Sequence, residues 1–406
     1  MIRALDAVVA RTPVTRDRYM DFLRAFSITT VVLGHWTIGI IWWENGLIYL
    51  TSAIGATSGL WLATWVLQVM PIFFLVGGFA NLVAYDAFRR RGESTWTFIR
   101  SRIQRLLRPS LILLSVWVAI QVGLHLADVG RPSGPVIWGE TRLLRGMNPP
   151  AATLPFGPIW FLGVYLVVVA VSPLTIRLHR RFRWWVPALL VAGTIVVEVI
   201  GFGLGIHRFR YLNIAFVLLL PHQLGHFYAD GTLGRIPRKV FWAIALGGIG
   251  TLLLLTTPWL FEWFGGDARF RWFPTIGHYP KSILGTDAEP ISNAYPPTVC
   301  FMLVGLWTIS AAMLLRDRLT QWLHRIGPWK ATILGNRVIM TLFLWHMTAY
   351  LVAIFGLWTL GFGREHDTSA RWWVERPIWI VAPGLVLAVI VWLVGRYERP
   401  TRPRAA

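Results

Sequence analysis

Ten apolar runs of 17 to 24 residues leave this chain few choices of fold: 25–43, 62–85, 109–127, 159–176, 185–201, 211–227, 240–259, 298–315, 338–360 and 378–395. A bilayer core about 30 Å thick is crossed by about 20 apolar residues in a helix. Composition agrees. The chain is 55% hydrophobic and 14% charged, with a mean hydropathy of +0.55, whereas soluble domains carry about a quarter charged residues. Its 24 tryptophans suit both membrane interfaces. The expected fold is all-α: a single bundle of about ten transmembrane helices over 25–395, a cytoplasmic segment 1–24 and a basic cytoplasmic tail 396–406. The opening stretch MIRALDAVVARTPVTRDRYMDFLR has too short an apolar core for a cleavable signal peptide. No internal repeat and no soluble second domain stand out.

Orientation follows from the basic residues. Segments 1–24, 86–108, 177–184, 228–239, 316–337 and 396–406 hold 28 of the 39 lysines and arginines. Basic loops stay on the cytoplasmic side, so both termini are expected there. A net charge of +20 would suggest nucleic acid in a soluble chain. Here the charge clusters between apolar runs, where it orients helices and meets lipid headgroups, and no nucleic-acid partner is expected. The lone Cys300 excludes an internal disulfide and a cysteine-based zinc cluster. Set in an apolar run, it reads as a buried core thiol.

Polar residues inside the runs carry the functional signal. In LRAFSITTVVLGHW, His35 follows Arg24 by eleven positions, or about 16 Å of helix. Arg24 then marks the cytoplasmic end and His35 lies near the midplane, where an ionisable group is a functional candidate. His346, in LFLWHMTAY, lies roughly 12 Å deep from the same side. His222 and His226 share a helix face at i and i+4. Four histidines at similar depth suggest a shared polar cavity. The His222/His226 spacing permits a metal, but no carboxylate or cysteine shares the turn, and no metal is assigned. Glu198 is either a mouth-lining carboxylate or a satisfied interface residue.

Seven arginines lie between Arg89 and Arg108. They serve as an orientation signal and a surface for anionic lipid. If IRSRIQRLLRP is helical, Arg102 and Arg105 project together, and guanidinium forks suit phosphate oxygens. A coenzyme A thioester is the donor this would take. Segments 128–158 and 260–296 are long for loops. The second is rich in aromatics (Trp263, Phe270, Trp272, Phe273, Tyr279) that suit either sugar stacking or the interfacial belt.

RYMDFLRAFSITTVVLGHW, MPIFFLVGGFAN, RSRIQRLLRP, GPIWFLGVYLVVVAVSPL and LGNRVIMTLFLWHM occur in that order. Together they resemble the motifs of the acyltransferase-3 family of bacterial membrane O-acyltransferases. The resemblance implies a multi-pass protein of the bacterial inner membrane that carries an acyl group, most simply acetyl, from cytosolic acyl-CoA to a hydroxyl. The acceptor would be an envelope glycolipid, for instance a trehalose mycolate-type lipid, or a wall polysaccharide. It implies that His35 is the essential histidine and Arg24 its companion. Arg100 and Arg102 match the family's Arg-x-Arg pair linked to acyl-CoA, with Arg105 beside them, and Trp160 and His346 match a recurring tryptophan and late histidine. The family's second-helix motif reads Ser-Gly where this chain has Gly77-Gly78, so no role of a serine hydroxyl transfers.

His35 would act as general base on the acceptor hydroxyl or carry the acyl group as an acyl-imidazole, with acyl-CoA as donor substrate and no bound cofactor. His222 and His226 would line the cavity near the acceptor. A transporter or flippase of an envelope precursor is the alternative, and it would consume no thioester.

Overall fold

The computed structural model describes residues 12–13, 16–44, 47–126, 156–157, 159–263, 277–285 and 291–395. The chain is helical almost throughout. The long helices are α1 (Arg18–Ile38), α2 (Met70–Arg90), α3 (Thr95–Leu126), α4 (Ile159–Phe182) and α5 (Trp185–Glu198). They continue with α6 (Asn213–Ala229), α7 (Arg238–Thr256), α8 (Val299–Trp322), α9 (Ile339–Thr359) and α10 (Ala370–Val394). Among the described residues, eight helices are long and apolar enough to cross a membrane. They are α2 together with the short helix Trp61–Val66 before it, then α3, α4, α5 with its π-helical extension to Gly203, α7, α8, α9 and α10.

The other two expected spans map onto α1 and α6, with bounds shifted from the expected ones: α1 starts and ends earlier, and α6 starts and ends two residues later. The run 25–43 does not end as a helix: α1 stops at Ile38, and Gly39–Glu44 (β1) pairs antiparallel with Leu47–Ser52 (β2), Gly39 opposite Ser52. Gly39 is a poor helix former. The stretches GIIWWE and LIYLTS are rich in the β-branched and aromatic side chains that favour strands. In 211–227, residues His207–Leu212 form a 3-10 turn, and α6 begins only at Asn213. Segments 128–155, 264–276 and the tail 396–406 lie outside the described residues, and with them Phe270, Trp272 and Phe273.

The chain divides into two compact units. One comprises Met1–Ser27, Ser58–Phe98 and Val171–Lys330; the other comprises Ile28–Thr57, Ile99–Ala170 and Ala331–Ala406. In the first unit α2 and α6 come into backbone contact. A Cβ on Gly78 would lie 1.9 Å from the His222 carbonyl oxygen, and one on Gly225 would lie 2.1 Å from that of Leu75. Small residues let membrane helices approach in this way, which gives Gly78 a packing role. Tyr19, Met20, Leu23, Leu75, Phe227 and Ile309 form a buried cluster of the same unit. Its Glu198 is a satisfied carboxylate. It accepts from the Tyr279 hydroxyl, from Asn213 Nδ2 and from the Val299 amide at the start of α8. Cys300 is fully buried, as expected.

In the second unit α9 packs along α10. Ser369 caps α10 by accepting from the Trp372 amide. One face of α10 buries Trp372, Glu375, Trp379, Pro383 and Leu387, while Val374, Val381 and Trp392 lie exposed on others.

The α2–α6 contact sets a stability prediction. Gly78→Ala and Gly225→Ala should each destabilise the protein by about 1–3 kcal/mol through overpacking. Gly247→Ala on α7, where a Cβ meets nothing within 4 Å, should be close to neutral. Thermal unfolding of the detergent-solubilised protein reads all three.

Candidate active site

Arg24 and His35 lie on one helix, α1, with Ser27 Oγ bonding back to the Leu23 carbonyl between them. Eleven residues of helix return to nearly the same face, so the two side chains point in one direction about 16 Å apart along the axis. Arg24 donates to Asp21 at 2.7 Å, one turn before it. Asp21 also takes Arg16. Arg24 is therefore held as part of an acidic–basic cluster at the start of α1.

In the second unit His35 meets His346 of α9. His35 Nδ1 lies 2.9 Å from His346 Nε2, with the rings stacked at 5.1 Å between centroids. The next residue secures the same contact: Trp36 Nε1 donates to the His346 carbonyl at 3.1 Å. His346 is fully buried, and its Nδ1 lies 2.7 Å from the Phe343 carbonyl oxygen.

These distances fix both tautomers. A carbonyl oxygen only accepts, so His346 Nδ1 carries its hydrogen. In the neutral ring Nε2 is then a lone pair, and His35 Nδ1 must be the donor across the 2.9 Å contact. His35 Nε2 is left as a lone pair. His35 is only partly buried, and among the described residues no side chain or backbone group bonds its Nε2. The result is an imidazole with one nitrogen tethered and the other free to take a proton.

Neighbouring helices hold this pair. Phe343 packs edge-on to Phe161 of α4, with centroids 5.7 Å apart. Trp117 of α3 donates its indole N–H to the Thr348 hydroxyl of α9 at 3.1 Å. The arginines Arg100, Arg102 and Arg105 all lie in the first turns of α3, as the helical reading of IRSRIQRLLRP required. Arg102 is partly buried and hydrogen-bonds the Tyr165 phenol of α4, while Arg100 and Arg105 are exposed. From Arg102 to Trp117 the helix rises about 22 Å. Trp160 lies one turn before the buried Tyr165, with its ring edge-on to Phe161.

His222 and His226 belong to the other unit, and their partners are found there. Both are fully buried. Asn81 Nδ2 lies 3.2 Å from His222 Nε2. His226 Nδ1 donates to Gln223 Oε1 at 3.2 Å, and Gln223 Nε2 donates to His179 Nδ1 at 2.8 Å. His179 Nε2 then donates to Asp230 at 3.1 Å. The chain runs from a buried ring to a half-exposed carboxylate. Partial burial pushes the Asp230 carboxyl up, but bonds from Thr232 and His179 outweigh this and hold it below the usual carboxylate range. His222 Nδ1 and His226 Nε2 are buried without partners. Among the described residues no three histidine, cysteine or carboxylate side chains converge as metal ligands.

Sequence reasoning named all four histidines but not what holds them. Trp36, Tyr165 and Asn81 stand inside quoted motifs and Gln223 lies between His222 and His226, where a polar group in an apolar run was the available signal. His179 was masked by the arginines around it.

No curated protein and no solved structure matches the chain. Residues 17–397 match the family described as acyltransferase domain, which covers all ten long helices and both histidine pairs. With a helical, multi-span fold and a match over nearly its whole length, the chain belongs to the acyltransferase-3 family, and is a membrane acyltransferase.

Proposed function

We propose that the chain moves an acyl group, most simply acetyl, from cytosolic acyl-CoA to a hydroxyl of an envelope glycolipid or glycan, with His35 as the general base. The observation that carries this is the fixed tautomer of His35. Its Nδ1–H is spent on His346, and its Nε2 lone pair is bonded by no described residue.

The reaction runs as follows. The acceptor hydroxyl gives its proton to His35 Nε2 as its oxygen attacks the thioester carbonyl. The imidazolium formed is stabilised by His346 Nε2, which accepts from Nδ1–H. The C–S bond then breaks, and the leaving thiolate of coenzyme A takes the proton back from Nε2. No proton is gained or lost overall. His346 is a positioning residue: it fixes the tautomer, and the Phe343 carbonyl fixes His346 in turn. Such a base typically contributes 10²–10⁴-fold.

Arg100, Arg102 and Arg105 suit the donor's phosphates, with Tyr165 holding Arg102 in place. The fork geometry of guanidinium favours bidentate phosphate contact. The basic start of α3 lies on the cytoplasmic side in this reading, where acyl-CoA is found. Ten spans with both termini cytoplasmic, in the inner membrane of a bacterium, complete the proposed topology. Arg24, paired to Asp21 at the same end of α1, would keep the donor entrance positively charged. Trp160, in the same unit as His35, is assigned to the acceptor path.

The test uses membrane vesicles and acetyl-CoA labelled in the acetyl group. Wild type should place label in an extractable glycolipid or a wall glycan. His35→Ala should lower transfer roughly 10²–10⁴-fold with unchanged thermal stability. His346→Leu should lower kcat by roughly 10–100-fold, because a hydrogen bond to a charged group is worth about 1.5–3 kcal/mol. Loss of all transfer together with aggregation in His35→Ala would mark the histidine as structural. Absence of transfer from any acyl-CoA by intact wild type would favour the transporter.

The arginines make a separate prediction. Arg100→Ala combined with Arg102→Ala should raise the Kd for acyl-CoA and flatten its dependence on salt, because exposed charge pairs are screened. An unchanged Kd, read by equilibrium binding of labelled acyl-CoA, would remove the phosphate contact.

A further inference from the structure

We infer that the second unit holds an anion-binding subsite centred on Arg376, one helical turn beyond the histidine pair, and that the acceptor carries a phosphate or carboxylate there. This deepens the proposed transferase reading and rests on it for the word acceptor; the subsite itself stands on its own geometry.

Two helices lead to it. Just past the end of α1, Gly39 follows His35 by four residues, and Arg376 donates to the Gly39 carbonyl at 3.1 Å. On α9, Tyr350 follows His346 by four residues and so lies on the same face one turn along. The Arg376 guanidinium faces the Tyr350 hydroxyl and lies 3.8 Å above the Trp372 ring and 5.7 Å from that of Trp379. Its Nε is spent on the Trp372 carbonyl at 2.9 Å. Arg376 is thus fixed at the rim of the site, partly buried, with its charge turned toward the end of α1.

The charges do not balance within the protein. The carboxylate beside Arg376 in sequence, Glu375, is spent elsewhere. It takes Arg371 Nε at 2.9 Å, Trp379 Nε1 at 3.3 Å and the Gly363 amide at 3.4 Å. Among the described residues Arg376 makes no ion pair. Its hydrogen-bond acceptors are neutral, and a partly buried cation without a counter-charge bonded to it is expensive to keep.

Two buried donors are also unspent. Trp372 is 2% exposed and Tyr350 is 0% exposed. The indole N–H of the first has no partner, and the hydroxyl proton of the second has no acceptor. Buried polar groups are nearly always bonded, and exceptions ask for an explanation. One anionic group answers all three features: its oxygens accept from Trp372 Nε1 and Tyr350 Oη, and its charge meets the guanidinium. Stacking on two indoles stiffens the guanidinium for that contact.

The choice of variants makes the test specific. Tyr350→Phe and Trp372→Phe each remove an O–H or N–H that has no acceptor in the protein, and the response of each variant is read against its own ligand-free midpoint. Arg376→Gln removes the charge, and Arg376→Lys keeps it. The purified full chain in detergent is mixed with glycerol 3-phosphate, glucuronate or neutral trehalose, and its thermal midpoint is recorded.

An anionic probe should raise the midpoint of wild type while trehalose does not. The rise should disappear in Tyr350→Phe/Trp372→Phe and in Arg376→Gln, and survive in part in Arg376→Lys. A response to glycerol 3-phosphate alone identifies a phosphate, and a response to glucuronate alone identifies a carboxylate. No rise with either anion, or a rise that persists in Tyr350→Phe/Trp372→Phe, overturns the proposal. The second outcome would place the anion on the arginines of α3. Because the assay needs no turnover, its failure leaves acyl transfer untouched, and failure of label transfer leaves this subsite standing.

Discussion

A bilayer core offers no water to a polar group, so one placed there is costly unless it finds a partner inside the protein. The arrangement of both histidine pairs follows from that condition. His346 is bonded on both ring nitrogens, to Phe343 and to His35. His35 is bonded on one, and no described residue bonds the other. In the other unit His226, Gln223, His179 and Asp230 pass hydrogen bonds hand to hand until a half-exposed carboxylate ends the chain. Satisfying a buried ring and fixing its tautomer are here the same act: the bond that lowers the cost of burial also selects the nitrogen that carries no hydrogen.

The same condition explains where the backbone helices touch. Gly78 and Gly225 allow α2 and α6 to meet main chain to main chain, and the carbonyl that Gly78 accommodates is that of His222. Packing and polar satisfaction therefore meet at one crossing. A larger side chain at either glycine would press on the very turn that aligns His222 with Asn81 and His226 with Gln223. Glu198 shows a third form of the rule. A carboxylate that could have lined an opening is closed off by a phenol, an amide side chain and the free amide at the start of α8.

Much of this was legible in the sequence because hydropathy, spacing and charge are local properties. The positions of ten long helices, the burial of Cys300 and the helical arginine run all follow from windows shorter than 25 residues. The hairpin 39–52 was not legible, since an apolar run rich in isoleucine and tryptophan satisfies the length test for a span as well as it satisfies strand propensity. The pairing of His35 with His346 was not legible either. Equal depth suggested one shared cavity for four histidines, whereas the partners of each pair are set by which helices touch. The tautomers lay further out of reach, because they depend on a carbonyl three residues before His346.

The residues that make this pair are 311 positions apart. A chain synthesised at about 5–20 residues per second exposes His35 roughly 16–60 s before His346 exists. For that interval α1 sits in or near the membrane with an imidazole that has no permanent partner, and Trp36 beside it has none for its indole. The site is therefore finished last, when α9 arrives and supplies a ring nitrogen and a backbone carbonyl at adjacent positions. A nascent chain stopped before α9 contains every residue of α1 and none of its chemistry. The contact between His35 and His346 is in this sense among the last of its unit to form.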